Sequence, residues 1–166
     1  MSERVSVRPG APRRANRLRW IAVLAVVAIG VAGPRRAGAD VTADCEFLEI
    51  EAKVGDKPAI DGELKPVEKK LKKPPFATWN QFKLLSRTQK SLAKKKVEPI
   101  ALKIGSASAS LVEIVDKSKV RLTITMDDDK GKHVASNTTT VEAGDYVMYV
   151  HSLPNNEGHV LSLTCR

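Results

Sequence analysis

The sequence predicts a mostly β domain: an antiparallel sandwich or open barrel of about seven to eight strands with one short helix, on the α+β border. Three observations carry this. Val120, Leu122, Ile124 and Met126 alternate with Arg121, Thr123 and Thr125, the period-two pattern of a half-buried antiparallel strand. Turn signals recur about every ten residues through the C-terminal half. Only one stretch, Leu64, Val67 and Leu71, repeats with helical spacing.

Taken in order, the chain opens on arginines 4, 8, 13, 14, 17 and 19, then the uncharged run Trp20 to Gly33, then Pro34-Arg35-Arg36 and Ala37-Gly38-Ala39. A basic leader, a short apolar run and a small-x-small site describe a signal peptide, residues 1–39, cut after Ala39. The run is shorter than the roughly 18–20 residues a permanent span needs, so no membrane span is expected after cleavage. Asn16 follows the Arg13-Arg14 pair where a twin-arginine signal carries an apolar residue, which favours general secretion. Residues 40–166 are expected to form a single exported domain, periplasmic or extracellular.

In the exported part, CEFLEIEAKV (45–54) reads as a first strand. Asp61 caps a predicted helix running to Lys73, ended by Pro74-Pro75. Trp79 to Leu92, with Phe82, Leu84 and Leu85, reads as extended chain packed with the core. Strands are predicted at 99–104 and 109–115, joined by Gly105-Ser106, then at 120–126, 133–141, 146–153 and 159–165. Asp127-Asp128-Asp129-Lys130-Gly131-Lys132, Ala143-Gly144-Asp145 and Pro154-Asn155-Asn156-Glu157-Gly158 mark turns between them.

The charge balance argues against the partner it first evokes. Of 166 residues, 28 are Lys or Arg and 19 Asp or Glu, a net charge of +9, the balance of a nucleic-acid binder. The leader holds eight arginines and one acid, so the exported part keeps 20 bases and 18 acids, net +2. No nucleic-acid partner is expected. Within that part residues 65–103 carry twelve bases and two acids, net +10, and the other 88 residues sum to −8.

Cys45 and Cys165 are the only cysteines, too few for a disulfide-dense scaffold or a four-cysteine zinc site. In an oxidising compartment two cysteines pair. Closing a loop of about 120 residues is worth nearly 5 kcal/mol in the chain-entropy account, and it makes the first and last strands neighbours. His133, His151 and His159 lack metal-ligand spacing and read as surface or rim residues, with His151 and His159 able to meet across a hairpin. Asp127, Asp128 and Asp129 fail the calcium-loop pattern: counted from Asp127, the glycine position holds Lys132 and the glutamate position Thr138. They read as an acidic hairpin tip. No metal or other cofactor is expected. G-x-S-x-G, the phosphate loop and paired carboxylates of a shared cleft are all missing, so the chain reads as no enzyme. Asn137-Thr138-Thr139 matches the glycosylation sequon.

One stretch points to a ligand. Lys69, Lys70, Lys72, Lys73, Lys94, Lys95 and Lys96, with Trp79 and its neighbours Phe76 and Phe82, form a candidate surface for an anionic partner. The plainer reading is a solvated helix face beside core aromatics. Pro74-Pro75-Phe76-Ala77-Thr78-Trp79-Asn80-Gln81-Phe82-Lys83-Leu84-Leu85, after the helix and before the short β-repeating segments, resembles a set of small exported bacterial proteins of delta-proteobacterial type. The resemblance implies bacterial export and transfers no catalytic residue. The expected function is a non-catalytic binding or accessory module of the bacterial cell envelope, its partner an unknown protein or anionic envelope component, with self-association possible through the opposed charges. The alternative is a small secreted inhibitor or effector acting on another protein.

Overall fold

The computed structural model describes residues 41–166; the predicted leader and its cleavage site lie outside the described residues. Nine strands form two sheets. The first sheet runs β2 (Ala59–Ile60), β3 (Gln81–Ala93), β1 (Thr42–Lys53), β9 (Gly158–Cys165), β8 (Val147–Ser152). The second runs β4 (Val97–Ile100), β5 (Ser106–Asp116), β6 (Lys119–Asp127), β7 (His133–Glu142). All pairings are antiparallel except β2 with β3. The sheets stay separate, so the sandwich reading holds over the barrel, with nine strands rather than the expected seven to eight.

Alternation builds the core between the sheets. Val120, Leu122, Ile124 and Met126 on β6 are buried, as their spacing predicts, and meet Phe47, Leu92, Leu111, Leu161 and Leu163. The central strands β1 and β9 are buried on both faces, because a second apolar cluster lies on the far side of the first sheet. There Leu48, Ile50, Ala52, Phe82 and Val160 are covered by Leu64, Val67, Leu71 and Phe76.

That cover is where the helix prediction needs correcting. Residues 61–73 do not form one helix but a 3-10 turn at Gly62–Leu64 and a four-residue helix α1 at Glu68–Leu71. Pro66 lies between them; it has no N–H to give, and its ring opposes the carbonyl four residues back, so a continuous helix breaks there. The Asp61 cap is present, its carboxylate accepting the Glu63 N–H at 3.2 Å. Leu64, Val67 and Leu71 still reach the core with no exposed surface. A second correction concerns the strand predicted at 99–104. It ends at Ile100 and starts at Val97. Pro99 is tolerated because β4 is an edge strand. Residues 101–105 leave the ladder because the Lys103 and Ile104 N–H groups are taken by a side chain from the other sheet, Glu49.

The predicted pairing of Cys45 with Cys165 is present, and the two are register partners on β1 and β9. No helix among the described residues is long and apolar enough to cross a membrane.

Candidate binding cleft and buried polar clasp

The outer face of the first sheet changes character along β1. From Leu48 onward it is apolar and covered. Before it come Asp44 and Glu46, whose register partners are Ser91 and Gln89 on β3 and, for Glu46, Thr164 on β9. Nothing apolar is offered for a helix to cover, so the cover stops and a cleft of about 520 Å³ opens, bounded by Tyr146 and Arg166 and lined in part by Cys45 and Cys165. Its polar groups are partly committed. The Tyr146 hydroxyl donates to Glu46 Oε2 at 3.2 Å, and Arg87 stands 3.6 Å from Glu46 Oε1. Burial first, and the neighbouring Glu46 carboxylate second, push the Tyr146 phenol above its ordinary pKa. Thr164 Oγ1 is buried without a partner, and so, one register pair deeper beside Leu48, is Ser162 Oγ. No histidine and no free cysteine thiol is among its lining residues.

A second polar constellation lies inside the sandwich, where the sequence reading placed none. Glu49, on β1, is fully buried. Its carboxylate accepts the Lys103 N–H at 2.7 and 2.8 Å, the Ile104 N–H at 2.8 Å and the Ser86 hydroxyl at 2.6 Å, and lies 3.0 Å from His159 Nε2. Burial alone would raise the Glu49 pKa. The bonds from His159, Ser86 and the two amides outweigh it and hold the carboxyl below its ordinary value. Serine, histidine and carboxylate are thus assembled with the carboxylate in the centre. A hydrolytic triad needs the histidine between the other two, so this group is a clasp holding the 101–105 loop to the other sheet. His159 is 1% exposed, which corrects its reading as a surface or rim residue: β9 is a central strand, and its odd positions face the other sheet. His151 is its register partner, as the hairpin predicts, but His159 is spent on Glu49. His133 is exposed and 3.1 Å from Asp127. Among the described residues no three ligand-type side chains group as a metal site. Asp128 accepts the Lys130 and Lys132 N–H groups, a turn-making role that holds its carboxyl low, the Lys132 amide contributing most.

The predicted lysine surface is divided. Lys69, Lys70, Lys72 and Lys73 lie on and just after α1, over the start of β3. Lys94, Lys95 and Lys96 close the turn at its end, about 40 Å of strand away. Lys70 donates to Asp145 at 2.6 Å and to the Tyr146 carbonyl at 2.5 Å, Lys72 pairs with Glu68, and Lys96 pairs with Glu98. Lys69, Lys73, Lys94 and Lys95 have no acidic partner among the described residues. Trp79 joins Lys72 on a smaller groove of about 430 Å³, but its indole N–H donates to the Asn156 carbonyl at 2.7 Å and its ring lies over Gly158. Phe76 and Phe82 are core residues.

The architecture is a disulfide-closed β sandwich with a polar cleft on one outer face. No family model, no curated protein and no solved structure matches the chain.

Proposed function

We propose that the chain is an exported, non-catalytic binding or accessory module of the bacterial cell envelope that engages an anionic component. The observation that carries this is the division of the lysines: three are held by acids or carbonyls of the fold, whereas Lys69, Lys73, Lys94 and Lys95 face solvent without one. The Cys45–Cys165 bond supports an oxidising compartment. The test is fractionation of an exporting host, followed by retention of the purified protein on isolated envelopes and on heparin. Salt-sensitive retention, lost when the four solvent-facing lysines become Gln, is the expected result. Elution below about 0.1 M salt, where screening already acts beyond about 10 Å, or recovery only from the medium, argues against it and favours the secreted inhibitor or effector.

A further inference from the structure

Seven large apolar side chains are exposed among the described residues, and five gather at one end of the sandwich: Val41, Val97, Val112, Ile114 and Val115. The Lys94 N–H donates to the Val41 carbonyl at 3.1 Å and the Lys95 N–H to the Leu111 carbonyl at 3.3 Å, which ties the β3–β4 turn to both Val41 and β5. Val97 pairs with Ser110. Leu111 is the last buried residue of β5; beyond it Val112 and Val115 sit at bulges, and the β5–β6 hairpin runs on past the start of β4. The core ends, but the apolar pattern does not.

Charge surrounds this tip. Glu113 is taken by Arg121, Glu142 by Lys119, Glu98 by Lys96, and Asp116 by the Ser118 N–H and hydroxyl. Lys94, Lys95 and Lys117 have no acidic partner among the described residues. Exposed β-branched side chains flanked by Lys94 and Lys95 on the β3–β4 turn and by Lys117 on the β5–β6 turn, with Asp116 the one acid there left without a cation, match the two layers of a membrane surface: acyl chain below, anionic headgroup above.

We infer that this end, formed by the β3–β4 turn, the β5–β6 hairpin and Val41, docks on an anionic lipid bilayer. The inference rests on the envelope-module reading and names its partner surface. Two sets of substitutions test it, each compared with a parent processed in the same exporting host so that any retained leader is common to all. One is Lys94→Gln, Lys95→Gln and Lys117→Gln; the other is Val112→Ser, Ile114→Ser and Val115→Ser. Val54→Ser with Val150→Ser, exposed apolar residues elsewhere, is the control.

The parent should sediment with phosphatidylglycerol-containing vesicles and much more weakly with pure phosphatidylcholine. Each lysine lost should weaken binding about fivefold, roughly a hundredfold for three. The apolar set should weaken it too, and the control should not. Val115→Trp should gain a fluorescence signal quenched by brominated lipid. Parent-like binding by both variant sets, equal binding to both lipids, an added indole signal in Val115→Trp that brominated lipid leaves unquenched, or a concentration-dependent dimer abolished by the apolar set overturns the inference. Retention on envelopes with no vesicle binding overturns it while leaving the module reading in place; loss of both overturns both.

Discussion

Removing the Glu49 carboxylate tests whether a single buried side chain holds the two sheets in register. Three donors converge on Oε1 (the Lys103 and Ile104 amides and His159) and two on Oε2 (Ser86 and Lys103 again). Glu49→Gln keeps one oxygen for the loop amides and lets the Ser86 hydroxyl reverse, so it loses mainly the charge assistance, about 2 kcal/mol. Glu49→Ala leaves four donors without their acceptor, the buried His159 among them, and opens a cavity, about 4–5 kcal/mol. For a domain of this size that corresponds to falls in melting temperature of about 8 and about 15–20 °C. The pH dependence follows from the depressed pKa. The carboxylate contributes its stability above the ordinary value of 4.5 and loses it as pH falls through the lower folded value. The parent should therefore lose more stability than Glu49→Ala between neutral pH and pH 3. Urea melts across that range, with circular dichroism as readout, measure both effects. An alanine variant within about 1 kcal/mol of the parent, or parallel acid profiles, would refute the clasp.

Three further substitutions probe the same frame. Cys45→Ser should lower thermal stability under oxidising conditions by up to about 5 kcal/mol and leave it equal to the reduced parent under reducing ones; a parent indifferent to reductant speaks against the bond's role. Gly158→Ala would place a methyl 2.6 Å from Trp79 Cζ2, costing about 1–3 kcal/mol and red-shifting Trp79 emission, and Trp79→Leu in the same chain should recover part of the loss. Gly105→Ala strains a residue at φ +71° and drives its Cβ into the Asp127 carbonyl; a melting temperature unchanged from the parent would deny that the loop needs glycine there.

How far the sequence announces these features depends on whether the cause is local. The alternation of β6, the Asp61 cap and the apolar stripe of 64, 67 and 71 are written within a few residues of one another, and all appear in the fold. The Cys45–Cys165 pair is distant, yet only two cysteines exist to be joined. The clasp could not be read in this way. Glu49, Ser86, Lys103 and His159 become neighbours only once β1 pairs with both β3 and β9 and a loop of the other sheet folds over them. The one local signal was a glutamate inside the apolar run Phe47-Leu48-Glu49-Ile50, a charge where a double-sided central strand should have none. The strand predicted at 99–104 ends at Ile100 for the same reason, since a remote carboxylate removes two amides from the ladder. Pro66 was a local signal that outweighs the helical stripe around it. The cleft has no local signal beyond the polar Asp44 and Glu46 preceding Leu48, neither of which stands out in the sequence as a site residue; what opens it is the ending of the cover above them.

The lysine-rich middle shows how one compositional feature divides into two physical roles. Lys70 is half-exposed and bound to both the Asp145 carboxylate and the Tyr146 carbonyl, so it ties α1 to the start of β8 across the cover of the second apolar cluster. Lys94 and Lys95 bond to the fold through their backbone amides, and neither ammonium has an acidic partner among the described residues. If this division is right, charge removal must act differently at the two places. Lys70→Gln should lower the melting temperature, because the Tyr146 carbonyl and the Asp145 carboxylate lose the same ammonium. Lys94→Gln with Lys95→Gln should leave melting unchanged and weaken salt-sensitive retention on anionic vesicles about 25-fold. Thermal melts and vesicle sedimentation on the same preparations separate the two. The reverse outcome, in which the turn lysines stabilise the fold and Lys70 governs retention, would mean that the anionic partner meets the α1 end and that the apolar tip of the β5–β6 hairpin serves something else.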